Sequence, residues 1–375
     1  MRSPVDVAVI GAGAAGASCA VHLALAGFSV VVLEQGAWPR SKPCGGGMAA
    51  SVQQWFPFAL SPAVDQVIRR VRFSWCLEDP VIAELPGEAP FWIVRRERLD
   101  AHLLNHATAA GAQLHQHWPV RTLQRQGEHW ELQGDAGSLR ARAVVIAAGS
   151  GSDLAAPQGI GASKPRFAST MAVEVTAPIS ENETARFDFG LVHHGFCWSF
   201  PRQNGYSIGV GTFIGRQAAD AEAVLGQLLP DLGLPADAGL RSSSALRIWD
   251  GHHRLHGDGI VVVGDAASLC DPFLAEGIRP ALLSGTAAAQ ALTQWLGGEP
   301  GALAEYSARM RRDWGESMAW GKRIAQVFYR VPRIGYQLGI KRPTAPKRIA
   351  QILSGQMGYG DIAQRVIKRL LFQQG

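Results

Sequence analysis

Three glycines in the spacing Gly11-x-Gly13-x-x-Gly16, with Glu34 following 18 residues after the last, are of a type and pattern that can do chemistry. Glycines allow a tight turn and close approach of backbone to a pyrophosphate, and a helix starting just after them offers unpaired N–H groups to the anion. An acid closing the next strand can hold a ribose hydroxyl. Gly264-Asp265-Ala266-Ala267 is a second candidate. An acid at the C-terminal end of an apolar strand, just before a helix, stands where ligands bind in open α/β sheets. A third is the run Phe196, Trp198 and Phe200, which alternation puts on one face of a strand, with Cys197 and Ser199 on the other.

The elements that must position these residues follow from pattern. A buried strand is expected over residues 5–10, a helix over 14–26 and a second strand over 29–34, making a βαβ unit at once. Residues 7–33 carry no Asp, Glu, Lys or Arg, yet Gly11, Gly13, Gly16 and Gly27 break them into short runs, which excludes a signal peptide or a membrane span. Apolar strands recur over 144–148, ending in Ala148-Gly149, and over 259–263. The nucleotide domain is therefore expected to be assembled from pieces spread over about 290 residues, unlike the compact halves of a simple NAD dehydrogenase. Between the pieces lie expected strands over 70–77, 170–176, 185–189, 195–200 and 206–213, with Asn204-Gly205 as the hairpin turn between the last two. Helices are expected over 278–296 and 302–329, and an amphipathic stretch over 362–372. The fold class is thus α/β. Residues 1–65, 95–165 and 250–300 form a discontinuous Rossmann-like domain, 66–94 and 166–249 an inserted antiparallel β-sheet domain facing the substrate, and 301–375 a basic helical region.

Composition narrows the class. Hydrophobic residues at 47% against 18% charged ones exclude a disordered chain. Five cysteines, odd in number and without a CxxC pair, argue against a disulfide framework or a structural zinc site and for a reducing, cytoplasmic compartment. His193-His194 and His252-His253 are adjacent pairs expected to diverge on strands with no carboxylate at ligand spacing, so no metal is expected. From Arg309 onward there are 14 Lys and Arg against three acids, a balance of +11 in a chain whose total is +5, so the remainder sums to −6. Such asymmetry calls for an anionic partner, and an anionic membrane surface, reached reversibly, is the expected one; a diphosphate is the competing choice, and no nucleic-acid motif is present.

These residues resemble the geranylgeranyl reductase family, within the flavoproteins built like p-hydroxybenzoate hydroxylase. Four segments carry the resemblance: Gly11 to Gly16 with Glu34; Lys42-Pro43-Cys44-Gly45-Gly46-Gly47; Phe196-Cys197-Trp198-Ser199-Phe200-Pro201; and Gly264-Asp265 through Asp271-Pro272 to Glu276-Gly277. A weaker fifth is Arg95-Arg96-Glu97-Arg98-Leu99-Asp100, with Leu99 where the family has Phe. The chain departs at Phe196, where the family usually has Tyr, at Ala275, where it has Gly, and at Ala148-Gly149 in place of Asp-Gly.

The resemblance implies FAD, held by Gly11, Gly13, Ala14, Ala15, Gly16, Glu34, Gln35, Cys44, Gly45, Gly46, Arg96, Ala148, Gly149, Gly264, Asp265, Gly277 and Ile278. It implies reduction of isolated C=C bonds in a geranylgeranyl or other prenyl chain, with hydride from reduced flavin N5 and a proton delivered near Cys44, and NADPH or another reductant recharging the flavin. Phe196, Trp198, Phe200 and Pro201 would line the prenyl slot, and the helix beginning at Ile278 would favour the negative charge of reduced flavin. An FAD-dependent hydroxylase or halogenase acting on an apolar or aromatic substrate is the alternative.

Overall fold

A computed structural model describes residues 3–213 and 220–372, with side chains described as far as Arg365 in the last helix. Val5–Ile10 sits at the centre of a parallel sheet, flanked by Val30–Leu33 on one side and Gly137–Ile146 on the other. Ile260–Val262 continues the parallel order beyond Gly137–Ile146, and Gln113–His115 beyond Val30–Leu33. The core positions Val7, Val9, Val31 and Val144 are fully or almost fully buried, as strands covered on both faces require. A hairpin, Val120–Gln126 and His129–Gly134, pairs antiparallel to the first half of Gly137–Ile146. That strand begins earlier and ends two residues sooner than the apolar run alone indicates.

The inserted sheet runs, in spatial order, Leu240–Ile248, Arg166–Thr176, Gly205–Thr212, Gly195–Arg202, Thr184–Phe189, Arg70–Trp75 and Glu78–Glu84. Every pair is antiparallel except Thr184–Phe189 with Arg70–Trp75, which join distant parts of the chain in parallel. Leu240–Ile248 and Glu78–Glu84 have mostly exposed or half-exposed residues, so their patterns lacked a clean apolar face. The hairpin loop falls on Gln203 and Asn204, one residue earlier than expected, with Gly205 already in the ladder at φ +145°. A small sheet of Gly47–Ala49, Phe91–Val94 and Val64–Ile68 bridges the two large ones.

The helices, in chain order, are α1 (Ala14–Leu25), α2 (Arg96–Ala109), α3 (Ala221–Asp231), α4 (Ile278–Leu296), α5 (Ala302–Met310), α6 (Glu316–Arg330), α7 (Pro332–Gly339), α8 (Ala345–Leu353) and α9 (Tyr359–Phe372). α1 packs on α4, where Ser18 Oγ donates to the Leu282 carbonyl. The helix expected over 302–329 is interrupted by a π-helical turn at Arg311–Gly315. The tail is tied down by long-range hydrogen bonds from buried aromatic residues. Trp314 Nε1 donates to the Leu269 carbonyl, Tyr329 Oη to the Phe273 carbonyl and Tyr359 Oη to the Asp271 carboxylate. α7 and α8 are short helices whose first turns carry Pro332 and Pro346. The amphipathic stretch over 362–372 lies within α9, and its side chains from Val366 onward lie outside the described residues. No described helix is long and apolar enough to cross a membrane.

Candidate functional site

The first strand, its glycine turn and α1 build one end of the site. Gly11 has φ +106°, and a Cβ there would lie 2.5 Å from the Ala147 carbonyl oxygen, so only glycine makes this turn. A Cβ on Gly16 would lie 1.9 Å from the Gly11 carbonyl oxygen, which fixes the close packing of α1 against its own turn. The Glu34 carboxylate accepts from the Ala12 N–H at 2.9 Å and the Gly36 N–H at 3.2 Å, with Arg40 Nε 3.5 Å away. It braces the glycine turn as well as closing the second strand.

Two guanidinium groups converge on this turn. The nearest atoms to a Cβ built on Gly13 would be Arg40 Nη2 at 3.2 Å and Arg96 Nη2 at 3.6 Å. Arg96 is buried and held by a two-point pair with Asp100, Nε to Oδ1 at 2.9 Å and Nη2 to Oδ2 at 2.7 Å. Burial opposes the Arg96 charge, but the Asp100 carboxylate outweighs it and holds the guanidinium well above its ordinary value. A permanent cation beside helix N–H groups is the arrangement a phosphate demands.

The Cys44 loop joins this end to the inserted sheet. Gly46 takes φ +82°, where a Cβ would lie 2.0 Å from the Val94 carbonyl oxygen, and its N–H points at Cys44 Sγ at 3.4 Å. Arg202, buried at the end of the aromatic strand, donates to the carbonyls of Cys44 at 3.0 Å and Val94 at 3.2 Å and pairs with Glu174 at 3.1 Å. Lys42 Nζ meets the Asp265 carboxylate at 3.0 Å, tying the loop to the segment after the last parallel strand. Gly45 lies against the rings of Trp198 and Phe200, each 3.1 Å from where its Cβ would be.

Opposite the loop stands an aromatic wall. Phe196, Trp198 and Phe200 share one face, joined by Phe187 and Phe213 at ring-centroid distances of 5.0 to 5.7 Å. Cys197 faces the other way, into a second apolar cluster with Val173, Ile208 and Leu225, so both faces of this strand are buried. The Trp198 ring spans Gly209 on the paired strand, where any Cβ would come within 2.1 Å of Cζ2. The ring is thereby fixed, and its buried Nε1–H has no hydrogen-bond partner.

A cavity of about 880 Å³ lies between these features. Gly11, Ala14, Ala15, Glu34, Gln35, Cys44, Gly45, Gly46, Arg96, Ala148, Gly149, Asp265, Gly277 and Ile278 line it together with Phe196, Trp198 and Phe200. Four expected site residues do not. Gly13 and Gly16 act behind the lining, through the approach of Arg40 and Arg96 and through helix packing. Gly264 takes φ +60°, and a Cβ there would lie 2.9 Å from the Ala15 methyl. Pro201 falls on the face opposite Phe200 by the two-residue period of a strand.

Sequence reasoning missed Arg40, Arg202, Glu276 and Leu353. Arg202 directly follows the aromatic motif, and a charge ending so apolar a strand was its only signal. Glu276 is a half-buried cavity-lining carboxylate whose pKa desolvation raises, against the opposing pull of Arg279 2.7 Å away. Leu353 comes from α8. The histidine pairs lie in loops, not strands, and His253 does meet a carboxylate, Asp250 at 2.7 Å, contrary to expectation. Among the described residues no group of three or more His, Cys, Asp or Glu is placed to hold a metal. All five cysteines are free.

This chain belongs to the FAD dependent oxidoreductase family, which it matches over residues 6–75 and 88–295. It is 28% identical to a probable electron transfer flavoprotein-quinone oxidoreductase of Escherichia coli over 326 residues, 76% of this chain and 75% of that one. Its fold is similar to that of a geranylgeranyl bacteriochlorophyll reductase-like protein of Thermoplasma acidophilum, with TM-score 0.77 and 18% identity over 95% of this chain and 93% of that one. The flavin-dependent brominase Bmp2 is similar over 99% of this chain and all of its own, with TM-score 0.72 and 19% identity. The protein is an FAD-dependent oxidoreductase, and the glycine turn, the braced Glu34, the paired Arg96 and the volume of the cavity fit that dinucleotide.

Proposed function

We propose that this enzyme reduces isolated C=C bonds in a prenyl chain. The observation that carries the reading is the Cys44 loop, seated through Gly45 directly against the aromatic wall of Phe196, Trp198 and Phe200 at one end of the cavity. An apolar chain fits between those rings, whose faces also stabilise positive charge developing on an alkene carbon. Arg40, Arg96 and the N-terminus of α1 would hold the pyrophosphate of FAD, and Glu34 a ribose hydroxyl. When bound, FAD supplies two electrons as a hydride. The Cys44 thiol gives its proton to the other alkene carbon and regains one from solvent, so the product gains two hydrogens and the cofactor is recharged by NADPH or another reductant. The three glycines after Cys44 let the loop pack closely against Trp198, Val94 and Phe91. The likeness in fold to the Thermoplasma acidophilum protein supports this reading.

A second reading, an FAD-dependent hydroxylase or halogenase, is favoured by one observation: the unpartnered Trp198 Nε1–H offers a hydrogen bond to a polar substrate group inside an otherwise apolar wall. Incubating the reduced enzyme with a panel of geranylgeranyl compounds separates the two. A product mass gain of two hydrogens supports the reductase, whereas oxygen or halogen incorporation replaces it with the second reading.

A further inference from the structure

From Ser317 to Gly360 the chain has no Asp or Glu and eight Lys and Arg: Lys322, Arg323, Arg330, Arg333, Lys341, Arg342, Lys347 and Arg348. Lys341 is paired with Asp79, and Lys322 donates to the Asp250 carbonyl. The other six form no ion pair among the described residues. Within this basic stretch Val327, Val331, Ile334 and Leu338 are 69, 45, 57 and 54% exposed, and they are four of the eight large exposed apolar side chains of the described chain. Ile334 and Leu338, four residues apart, share the exposed side of α7, while Val327 in the last turn of α6 and Val331 at the break between the two helices are exposed beside it in sequence.

This exposure does not come from loose packing. The inward side of the same helices is buried through Phe328, Tyr329, Tyr336 and Ile340, and a Cβ on Gly335 would lie 2.8 Å from the Phe328 ring. Tyr336 Oη donates to the Asp79 carbonyl at 2.8 Å. The exposed apolar side chains are held outward by a fixed scaffold. Exposed apolar side chains interspersed with cations are the composition of an interfacial segment.

We propose that the α6–α7 corner is a docking surface for anionic bilayers. The four apolar side chains enter the boundary between headgroups and acyl chains, and Arg330, Arg333 and Arg342 meet the lipid phosphates. A second copy of the chain is a poor occupant, since a two-fold contact would set this acid-free basic stretch against itself. The proposal stands apart from the reaction proposed above.

Sedimentation with vesicles of phosphatidylcholine alone, or mixed with phosphatidylglycerol, tests it. The FAD-loaded enzyme should pellet with the mixed vesicles at 0.1 M salt, poorly with neutral ones, and weakly at 1 M, where the Debye length has shrunk from about 10 Å to about 3 Å. Val327→Ser/Ile334→Ser/Leu338→Ser and Arg330→Gln/Arg333→Gln/Arg342→Gln should each reduce partitioning at least ~10-fold. All six positions are exposed, so flavin absorbance and elution volume should match the parent; a variant that loses either is replaced by the single exchange Ile334→Ser or Arg333→Gln, read the same way. Absence of binding to mixed vesicles, equal binding to neutral ones, or wild-type binding by both variants overturns the proposal. So does a molecular mass that halves in the apolar variant, which would make the corner an interface between copies.

Discussion

The two ends of the cavity are built on opposite principles. At the glycine end the lining is mostly backbone, braced by charge: Glu34 on the turn's own N–H groups and Arg96 on Asp100. At the aromatic end it is side chain on side chain, with Phe187, Phe196, Phe200 and Phe213 in contact and the Trp198 Nε1–H left without a partner among the rings. A charged wall depends on a few irreplaceable pairs, because breaking one leaves an uncompensated charge in low dielectric. An apolar wall spreads its stabilisation over many weak contacts and changes preference before it fails. Substitutions at the first end should therefore affect fold and cofactor, and those at the second, substrate choice.

The sharpest break should come from Arg96→Leu. It leaves Asp100 buried and unpaired, at a cost of about 3–5 kcal/mol, and should lower both the melting temperature and the FAD content. Retention of both would mean the pair contributes little to the charged end. Cys44→Ala, at the junction of the two ends, should keep FAD and accept electrons normally yet lose turnover by about 10²–10⁴-fold, the usual contribution of a placed proton donor. Cys44→Ser should fall between. Stopped-flow reduction read beside steady-state turnover checks this, and full turnover in the alanine variant removes the thiol from the chemistry.

Trp198→Ala should weaken substrate by about 2–4 kcal/mol through loss of a large ring, with FAD affinity unchanged by titration. Trp198→Phe sharpens the point. It keeps a ring over Gly209 but removes the N–H, so only substrates carrying an oxygen acceptor should suffer, by about 1–3 kcal/mol. If both variants lose FAD, the aromatic end belongs to the cofactor after all. The smallest effect expected is Glu34→Ala, which unpairs the Ala12 N–H and removes one ribose acceptor, weakening FAD by about 1–3 kcal/mol in an apoenzyme titration.

What could be read without coordinates was short-range. The βαβ unit, the glycine spacing and Glu34 lie within the first 34 residues, and the face shared by Phe196, Trp198 and Phe200 follows from the period of one strand. These are properties of backbone geometry over a few residues, so residue types and intervals suffice to specify them. The meeting of Gly45 with Trp198, the latch through Arg202, the convergence of Arg40 and Arg96 on Gly13 and the entry of Leu353 into the cavity were decided only by the tertiary structure. Each joins residues far apart in the chain. Local pattern carries no record of which distant partner satisfies it, so Arg202 could be placed at the end of its strand but not against the carbonyls of Cys44 and Val94.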